Sequence, residues 1–238
     1  MRNKIMCLLL VCASLFAIFI LNSNAIETEF DFLPLDENEK KTFLSNVSFS
    51  EVAHSESKNP IESFDVNNNG IVAIVHSNYN DKAITFLNSD GLVLGRLEFS
   101  SDGDVGVKWE DDDNLLVYFV RSDVIATVSQ KGEILELHKI TTSSEKYYEW
   151  REQFRFTTKE INEVKYSLKN DFGFFNMFAS SYSQLILTSS DGNEQKLYDA
   201  SSLYLERVVV GFVAVCFFII IVTFVVIRLF ITSKNKET

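Results

Sequence analysis

The middle of the chain alternates between short apolar, β-branched runs and polar clusters that contain glycine. Residues 71–75 read Ile-Val-Ala-Ile-Val and lie between Asn-Asn-Asn-Gly at 67–70 and a second polar cluster at 77–80. Apolar runs of this length, bounded by turn residues, predict β-strands joined as antiparallel hairpins. The same pattern predicts strands at 83–87, 92–99, 105–109, 115–120, 124–128 and 133–140.

The pattern recurs at regular intervals along the chain. Gly91 and Gly132 occupy equivalent turns in the first and second copies of the pattern, where glycine supplies the positive φ that a tight hairpin needs. A weaker third copy has its turn at Gly192. The separation between Gly132 and Gly192 is clearly longer than that between Gly91 and Gly132, so we place an insertion at residues 141–163. The three repeat units are residues 67–99, 111–140 and 170–198.

These turn–strand–strand–turn–strand units resemble the blades of β-propellers of the NHL and TolB-like kind, whose repeats are also about 40 residues long. The resemblance covers about half of the chain and includes neither a Trp-Asp dipeptide at the strand ends nor a kelch Gly-Gly pair. Propellers typically close with four to eight blades, so three units leave several alternatives open. Residues 30–62 supply a fourth, irregular blade, or the sheet stays open, wraps as a barrel or sandwich, or closes with a partner.

Two further segments have helical patterns. Residues 36–39 read Asp-Glu-Asn-Glu and precede a short run to Leu44, and acidic residues favour a helix N-terminus. Ser143 and Ser144 can cap a second helix inside the insertion. The predicted fold is therefore mainly β, an antiparallel meander of about three blade-like repeats, propeller-like or open, with one C-terminal transmembrane helix.

The N-terminus has the pattern of a secretory signal peptide. Arg2 and Lys4 precede an uncharged run, and small residues lead up to Ala25. We predict a signal peptide over residues 1–25, with an uncleaved signal anchor as the alternative. The extracytoplasmic β domain is then expected over residues 26–205.

The C-terminal part predicts a membrane span at residues 206–231. Residues 208–227 are apolar apart from Thr223, and a helix of that length crosses about 30 Å of hydrocarbon. Lys and Arg follow the span, which places the tail, residues 232–238, in the cytoplasm. These features predict a single-pass type I protein of the cell membrane, with most of the chain outside.

The charge and the cysteine content of the chain argue against some kinds of function. Residues 26–205 carry 31 Asp and Glu against 16 Lys and Arg, a formal charge of −15, which argues against nucleic-acid binding. Cys7, Cys12 and Cys216 all lie in the signal or the span, so we expect no disulfide in the external domain. An external domain of this size without disulfides indicates a bacterial protein.

The opening of the first repeat matches the start of a calcium-binding loop. Asp65, Asn67 and Asn69 alternate as oxygen ligands ahead of Gly70, which would make the sharp turn. The twelfth position of an EF-hand needs a bidentate acid, and here it is His76. An Asn/Gly hairpin turn is the favoured interpretation and a short calcium turn the alternative.

The sequence contains no recognisable catalytic or cofactor motif. It has no His-Glu-x-x-His, no Gly-x-Ser-x-Gly, no Gly-x-Gly-x-x-Gly and no P-loop. We therefore expect no enzyme activity, no bound cofactor and no structural metal. A Ser-His-Asp arrangement assembled in space stays open, because triads are geometric rather than sequential.

Two aromatic groups remain as candidates for contacts. For Phe172, Phe174, Phe175, Met177 and Phe178, core packing is the favoured interpretation, with alternation burying some of them. Tyr147, Tyr148 and Trp150 lie in the insertion and are the predicted partner-binding residues, since insertions decorate a scaffold and aromatics favour interfaces. The predicted function is a binding or scaffolding module whose partner is another protein at the membrane surface. An extracytoplasmic hydrolase or carbohydrate-active protein with a loop-built site is the alternative.

Overall fold

The computed structural model describes residues 32–52, 58–78, 80–140 and 152–234, which form three antiparallel sheets and a long C-terminal helix. Sheet 1 contains β2 (Ser50–Glu51), β3 (Ile61–Val66), β4 (Val72–Asn78), β5 (Asp81–Leu87) and β6 (Val93–Ser100). Sheet 2 contains β1 (Phe32–Pro34), β7 (Val105–Trp109), β8 (Asn114–Phe119), β9 (Val124–Ser129) and β10 (Ile134–Ile140). Sheet 3 contains β11 (Thr158–Ile161), β12 (Val164–Lys169), β13 (Gln184–Thr188) and β14 (Glu194–Asp199). The mainly β, antiparallel fold class is confirmed.

Each sheet is built on a four-stranded meander, β3 to β6, β7 to β10 and β11 to β14, in which strands adjacent in sequence pair with each other. The last hairpin of each meander has the same turn. In the turns at Asn88, Ser129 and Ser189, the amide of the fourth residue, a glycine, donates to the carbonyl of the first at 2.9–3.0 Å. All three glycines have φ between +80° and +83°. Each copy of the strand pattern therefore contains the same turn, with a polar first residue and a glycine as its fourth residue.

Sheet 1 lies between the other two sheets because both of its faces are apolar. Ala73 and Val75 of β4 point towards sheet 2 and join a buried cluster with Val117 and Val128. Ile74 points the other way, into a cluster with residues of sheet 3 such as Leu185 and Leu197. This alternation buries both faces of the strand, so its first four residues, 72–75, are all apolar.

The N-terminal segment joins two sheets rather than forming a blade. β1 pairs with β10 at the outer edge of sheet 2, and β2 pairs with β6 at the outer edge of sheet 1. Helix α1 (Glu37–Asn46) lies between them in sequence, and Asp36 and Glu39 form a capping box at its start. The helix is confirmed, whereas the fourth-blade alternative for residues 30–62 is wrong for the part that the structure describes, since β1 and β2 extend existing sheets and β3 belongs to sheet 1.

Helix α2 (Ser201–Lys234) follows β14 with a single residue, Ala200, between them. Tyr204 and Val208 are buried against Phe172 in a small cluster of their own. Over Ser201–Thr223 the helix is long and apolar enough to cross a membrane, with a mean hydropathy of 2.6 in its most apolar window. The predicted C-terminal apolar helix is therefore present.

Candidate functional site

The first predicted ligand of the calcium turn, Asp65, is fully buried between three strands. Its Oδ1 accepts a hydrogen bond from the ammonium of Lys159 on β11, and its Oδ2 accepts one from the backbone N–H of Trp109 on β7 at 2.7 Å. Lys159 also donates to the carbonyl of Val66 at 2.7 Å. Asp65 therefore fastens the innermost strand of sheet 1 to both neighbouring sheets.

The side chain of Asn67 stabilises the turn in which this residue lies. Its Oδ1 accepts from the backbone N–H groups of Asn69 and Ile71 at 3.1 and 2.8 Å, and its Nδ2 donates to the carbonyl of Asp112 at 3.0 Å. Within the described residues there is no group of three His, Cys, Asp or Glu side chains placed to hold a metal ion. A short calcium turn stays the alternative to the favoured Asn/Gly hairpin turn, and a calcium titration of the melting temperature would test it.

The predicted partner-binding residues Tyr147, Tyr148 and Trp150 lie outside the described residues. The predicted insertion, residues 141–163, is too long, because β11 (Thr158–Ile161) already belongs to sheet 3. The chain has returned to the fold by Phe154. Phe154 is buried against Gly106 of β7, and its ring centroid is 5.5 Å from that of Tyr118 on β8.

A polar pocket that the sequence did not indicate lies at the ends of β5 and β6. Its volume is about 500 Å³. The residues that give it its polar character are Asn46, Ser50, Asn59, Asp81, Arg96 and Glu98. The pocket also reaches His76 and Lys82, two side chains of sheet 1 that are almost completely buried. A larger cavity of about 780 Å³ between α1 and sheet 2 has no comparable set of buried charges among its lining residues.

Lys82 lines this pocket, but its ammonium is bound on the other face of sheet 1. Its Nζ lies 2.5 Å from Oε1 of Glu62, which also accepts from the Ser77 hydroxyl at 2.6 Å. The second carboxylate oxygen of Glu62 accepts from the backbone N–H of Val105 at 3.4 Å. The ammonium is thus paired and hydrogen-bonded, as a buried charge requires.

His76 lies on the opposite face of the same sheet, among Thr85, Arg96 and the ring of Tyr198. Its Nε2 is 2.7 Å from Oγ1 of Thr85 and 3.4 Å from Nη1 of Arg96. Arg96 is in turn paired with Glu98 at 2.9 Å. Burial, and then the charge of Arg96, lower the pKa of His76 from 6.5 to about 3. The imidazole is therefore neutral at physiological pH.

Nδ1 of His76 is buried and has no hydrogen-bond partner among the described residues. A buried polar atom without a partner is rare in folded proteins and often marks a place where water or a ligand completes the bonding. This atom, together with the paired charge of Arg96, makes the pocket the candidate site within the described residues.

The second aromatic group departs from the sequence prediction. Residues Gly173–Phe178 form a 3₁₀ helix between β12 and β13, and only Phe172, just before it, is buried. Phe174, Met177 and Phe178 are 65%, 70% and 46% exposed. The prediction of core packing is therefore wrong for these three residues. Their apolar surface lies beside helix α2, which is itself apolar enough to cross a membrane.

No family model matches the chain, and no curated protein matches it. Among solved structures, the chain is similar to selenomethionine-substituted virginiamycin B lyase from Staphylococcus aureus, with 15% sequence identity and a TM-score of 0.29. The match covers 63% of this chain and 45% of that chain, so this chain spans less than half of the lyase structure. At this level of similarity the activity of that protein is not transferred to this chain, and the specific NHL or TolB-like resemblance stays a prediction.

Proposed function

We propose that this chain is a membrane-anchored binding module, with its β domain on the extracytoplasmic side of a bacterial cell membrane and a protein as its partner. The observation that carries the proposal is the direct docking of the β domain on helix α2. β14 ends at Asp199, whose carboxylate accepts from the N–H of Ser201 at 2.9 Å, and the helix starts there.

Further contacts fix the domain to the first turns of the helix. The hydroxyl of Tyr204 accepts from the N–H of Ser181 at 2.8 Å, and Nε2 of Gln184 donates to the Ser201 hydroxyl at 2.8 Å. A domain joined to its helix in this way presents the same surface at a constant height above the bilayer. A surface held at a constant height in this way is suited to binding a partner protein.

The ionisable groups of the polar pocket support binding rather than catalysis. A general acid or base works best with a pKa near the operating pH, and the pKa of His76 is lowered to about 3. Lys82 and Arg96 are each engaged by a carboxylate, of Glu62 and Glu98 respectively. The proposal therefore includes no reaction.

The proposed partner surface is the insertion with Tyr147, Tyr148 and Trp150. It leaves the fold at Ile140, which is buried in β10, and returns at Phe154, which is buried beside β7. Both ends are thus held by sheet 2, which supports a surface that projects from a rigid base. Aromatic residues supply large contact area at little conformational cost.

The test is crosslinking of the full chain in membranes of the cells that express it. A variant with Tyr147→Ala, Tyr148→Ala and Trp150→Ala is compared with a control carrying Leu92→Ala, Leu94→Ala and Leu135→Ala, three exposed apolar residues of sheets 1 and 2. A partner that is crosslinked to the wild type and the control, but lost from the aromatic variant, supports the proposal. The same crosslinked proteins in all three samples would reject this surface.

A second candidate function is binding and turnover of a small polar molecule in the pocket. The observation that favours it is the unpartnered Nδ1 of His76 beside a concave, polar surface. The full chain would be incubated with a panel of chromogenic glycosides and esters, and its melting temperature measured with each hydrolysis product. Turnover that disappears in His76→Gln would favour a hydrolase. A melting shift without turnover would favour a ligand site.

A further inference from the structure

The 3₁₀ helix Gly173–Phe178 presents an apolar surface without any charged residue. Its sequence is Gly-Phe-Phe-Asn-Met-Phe, and the side chains of Phe174, Met177 and Phe178 are largely exposed. The ring of Phe174 lies 5.7 Å from that of Phe175 and 5.6 Å from that of Phe178, both edge to face. Contiguous exposed apolar surface of this kind marks a contact with a protein, a ligand or a membrane.

This surface is continuous with helix α2. The rings of Phe174, Phe175 and Phe178 all contact Phe212, at centroid distances of 6.3, 5.6 and 5.0 Å. We name Phe174, Met177, Phe178 and Phe212 the aromatic patch. The neighbouring helix residues Val213 and Val215 are each 58% exposed, so apolar surface extends from the patch along the helix.

The position of the patch along α2 determines how deep it would lie in a bilayer. The apolar run of the helix starts at Val208, and Phe212 lies four residues further on, which is about 6 Å along the axis. Apolar faces that lie in a membrane interface are buried about 5–10 Å into the boundary between headgroups and acyl chains. If α2 crosses a bilayer, the patch therefore lies at that boundary.

The side chain of Asn176, the polar side chain of this segment, is hydrogen-bonded to the backbone of the residues just before it. Oδ1 of Asn176 accepts from the N–H of Phe172 at 3.0 Å, and its Nδ2 donates to the carbonyl of Asn170 at 3.3 Å. Backbone bonds from Phe175 to Phe172 and from Ala179 to Asn176 close the turn. A segment that satisfies its own polar groups can enter a region with little water at low cost.

We propose that the aromatic patch inserts into the outer leaflet of the bilayer, at the boundary between headgroups and acyl chains, and thereby fixes the height and tilt of the β domain. This inference rests on the membrane anchoring in the proposed function. The occupant is lipid rather than a protein because the patch adjoins the part of α2 that lipid would surround. The contact is apolar, so uncharged phosphatidylcholine suffices, whereas a domain with a formal charge of −15 gains nothing from anionic headgroups.

The experiment measures lipid contact site by site in the full chain, reconstituted in phosphatidylcholine vesicles. Cys7, Cys12 and Cys216 are replaced by alanine, and single cysteines carry an environment-sensitive fluorophore. The probe sites are Phe174→Cys and Phe178→Cys. The matched control is Leu94→Cys, an apolar residue of β6 that is 55% exposed, and Ile220→Cys reports insertion of α2. Lipids with a nitroxide at a shallow or a deep acyl position quench the fluorophore on contact.

The expected result is quenching at positions 174 and 178 that is several-fold stronger than at position 94, and stronger with the shallow than with the deep nitroxide. Quenching at position 220 with no excess at 174 and 178 would overturn this inference and leave the anchoring intact. Absence of quenching at 220 would overturn both. A blue-shifted emission at 174 and 178 that is not quenched by lipid, and that disappears on dilution of the protein in the vesicles, would assign the patch to a second copy of the chain and overturn the inference.

Discussion

Nη1 of Arg96 donates a hydrogen bond to Nε2 of His76 across two strands of sheet 1, at 3.4 Å. The same nitrogen lies 2.7 Å from Oγ1 of Thr85, a hydroxyl that can donate or accept. Burial and the charge of Arg96 keep the imidazole neutral. The other ring nitrogen, Nδ1, has no hydrogen-bond partner among the described residues.

The stability of the protein should fall as the pH drops below about 6.5. Unfolded His76 binds a proton at its ordinary pKa of 6.5, whereas folded His76 binds one only near pH 3. Between these values the unfolded state carries the extra proton, so the free energy of unfolding decreases by about 1.4 kcal/mol per pH unit. The loss should be visible between pH 6.5 and 5, before the carboxylates with lowered pKa values, Glu39, Asp111 and Asp191, are protonated.

Urea unfolding of the full chain in detergent micelles, followed by CD at several pH values, measures this slope. His76→Gln should flatten it. His138→Gln is the matched control for replacing a histidine at another place in the fold, since His138 lies on β10 in sheet 2. An unchanged slope in His76→Gln would show that another group causes the acid sensitivity.

Strand positions and turns could be predicted from the sequence, because period-two alternation and turn residues are local signals. Gly91, Gly132 and Gly192 all have the positive φ that the repeat required. The polar pocket could not be predicted, since it depends on which strands pair. Thr85 and Arg96 belong to different strands, and only the β5–β6 register places them opposite each other. Hydrophobicity alone also does not separate residues that face a core from residues beside an apolar helix, such as Phe174.

Removal of the Lys159 ammonium should destabilise the fold strongly. Lys159→Met leaves the carboxylate of Asp65 buried with one remaining donor, the Trp109 N–H. Breaking a buried ion pair by removing one partner costs about 3–5 kcal/mol, and partial exposure of Lys159 places this pair near the lower end. Urea unfolding measures the change.

The control for this pair is Lys169→Met, which removes the partner of Glu194 from a pair in which both side chains are about half exposed. That change should cost less than about 1 kcal/mol. Adding Asp65→Asn to Lys159→Met should recover part of the loss, because the buried charge is removed as well. Equal losses in Lys159→Met and Lys169→Met would mean that water reaches Asp65.

A methyl group at Gly106 should displace the end of the insertion. A Cβ at this position would lie 2.5 Å from Cβ of Phe154 and 3.2 Å from its ring, so Phe154 must move out of its buried site. We expect Gly106→Ala to destabilise the protein by about 1–3 kcal/mol. It should also increase protease cleavage in the segment 141–153, since Phe154 holds the end of that segment.

Gly95→Ala provides the comparison, because Gly95 is also a strand glycine but its added Cβ would meet only a ring carbon of Phe86, at 3.7 Å. It should change stability and cleavage little. Proteolysis with mass spectrometry of the fragments distinguishes the two variants. Unchanged cleavage in Gly106→Ala would contradict the role of Phe154 as the fixed end of the insertion, and it would weaken the case for a projecting partner surface.

Loss of one hydroxyl should loosen the β domain from helix α2. Tyr204 is buried beside the ring of Phe172, and its hydroxyl accepts the N–H of Ser181. Tyr204→Phe keeps the ring and removes the acceptor, at a cost of about 1–2 kcal/mol for the unpaired N–H. Because the bond joins the helix to the segment before β13, hydrogen exchange at Ser181 and at the first turns of α2 should become faster in vesicles.

Tyr182→Phe is the control, since Tyr182 pairs with Ile61 through its backbone, and it should keep the wild-type exchange. Wild-type exchange in Tyr204→Phe as well would mean that the apolar cluster alone joins domain and helix.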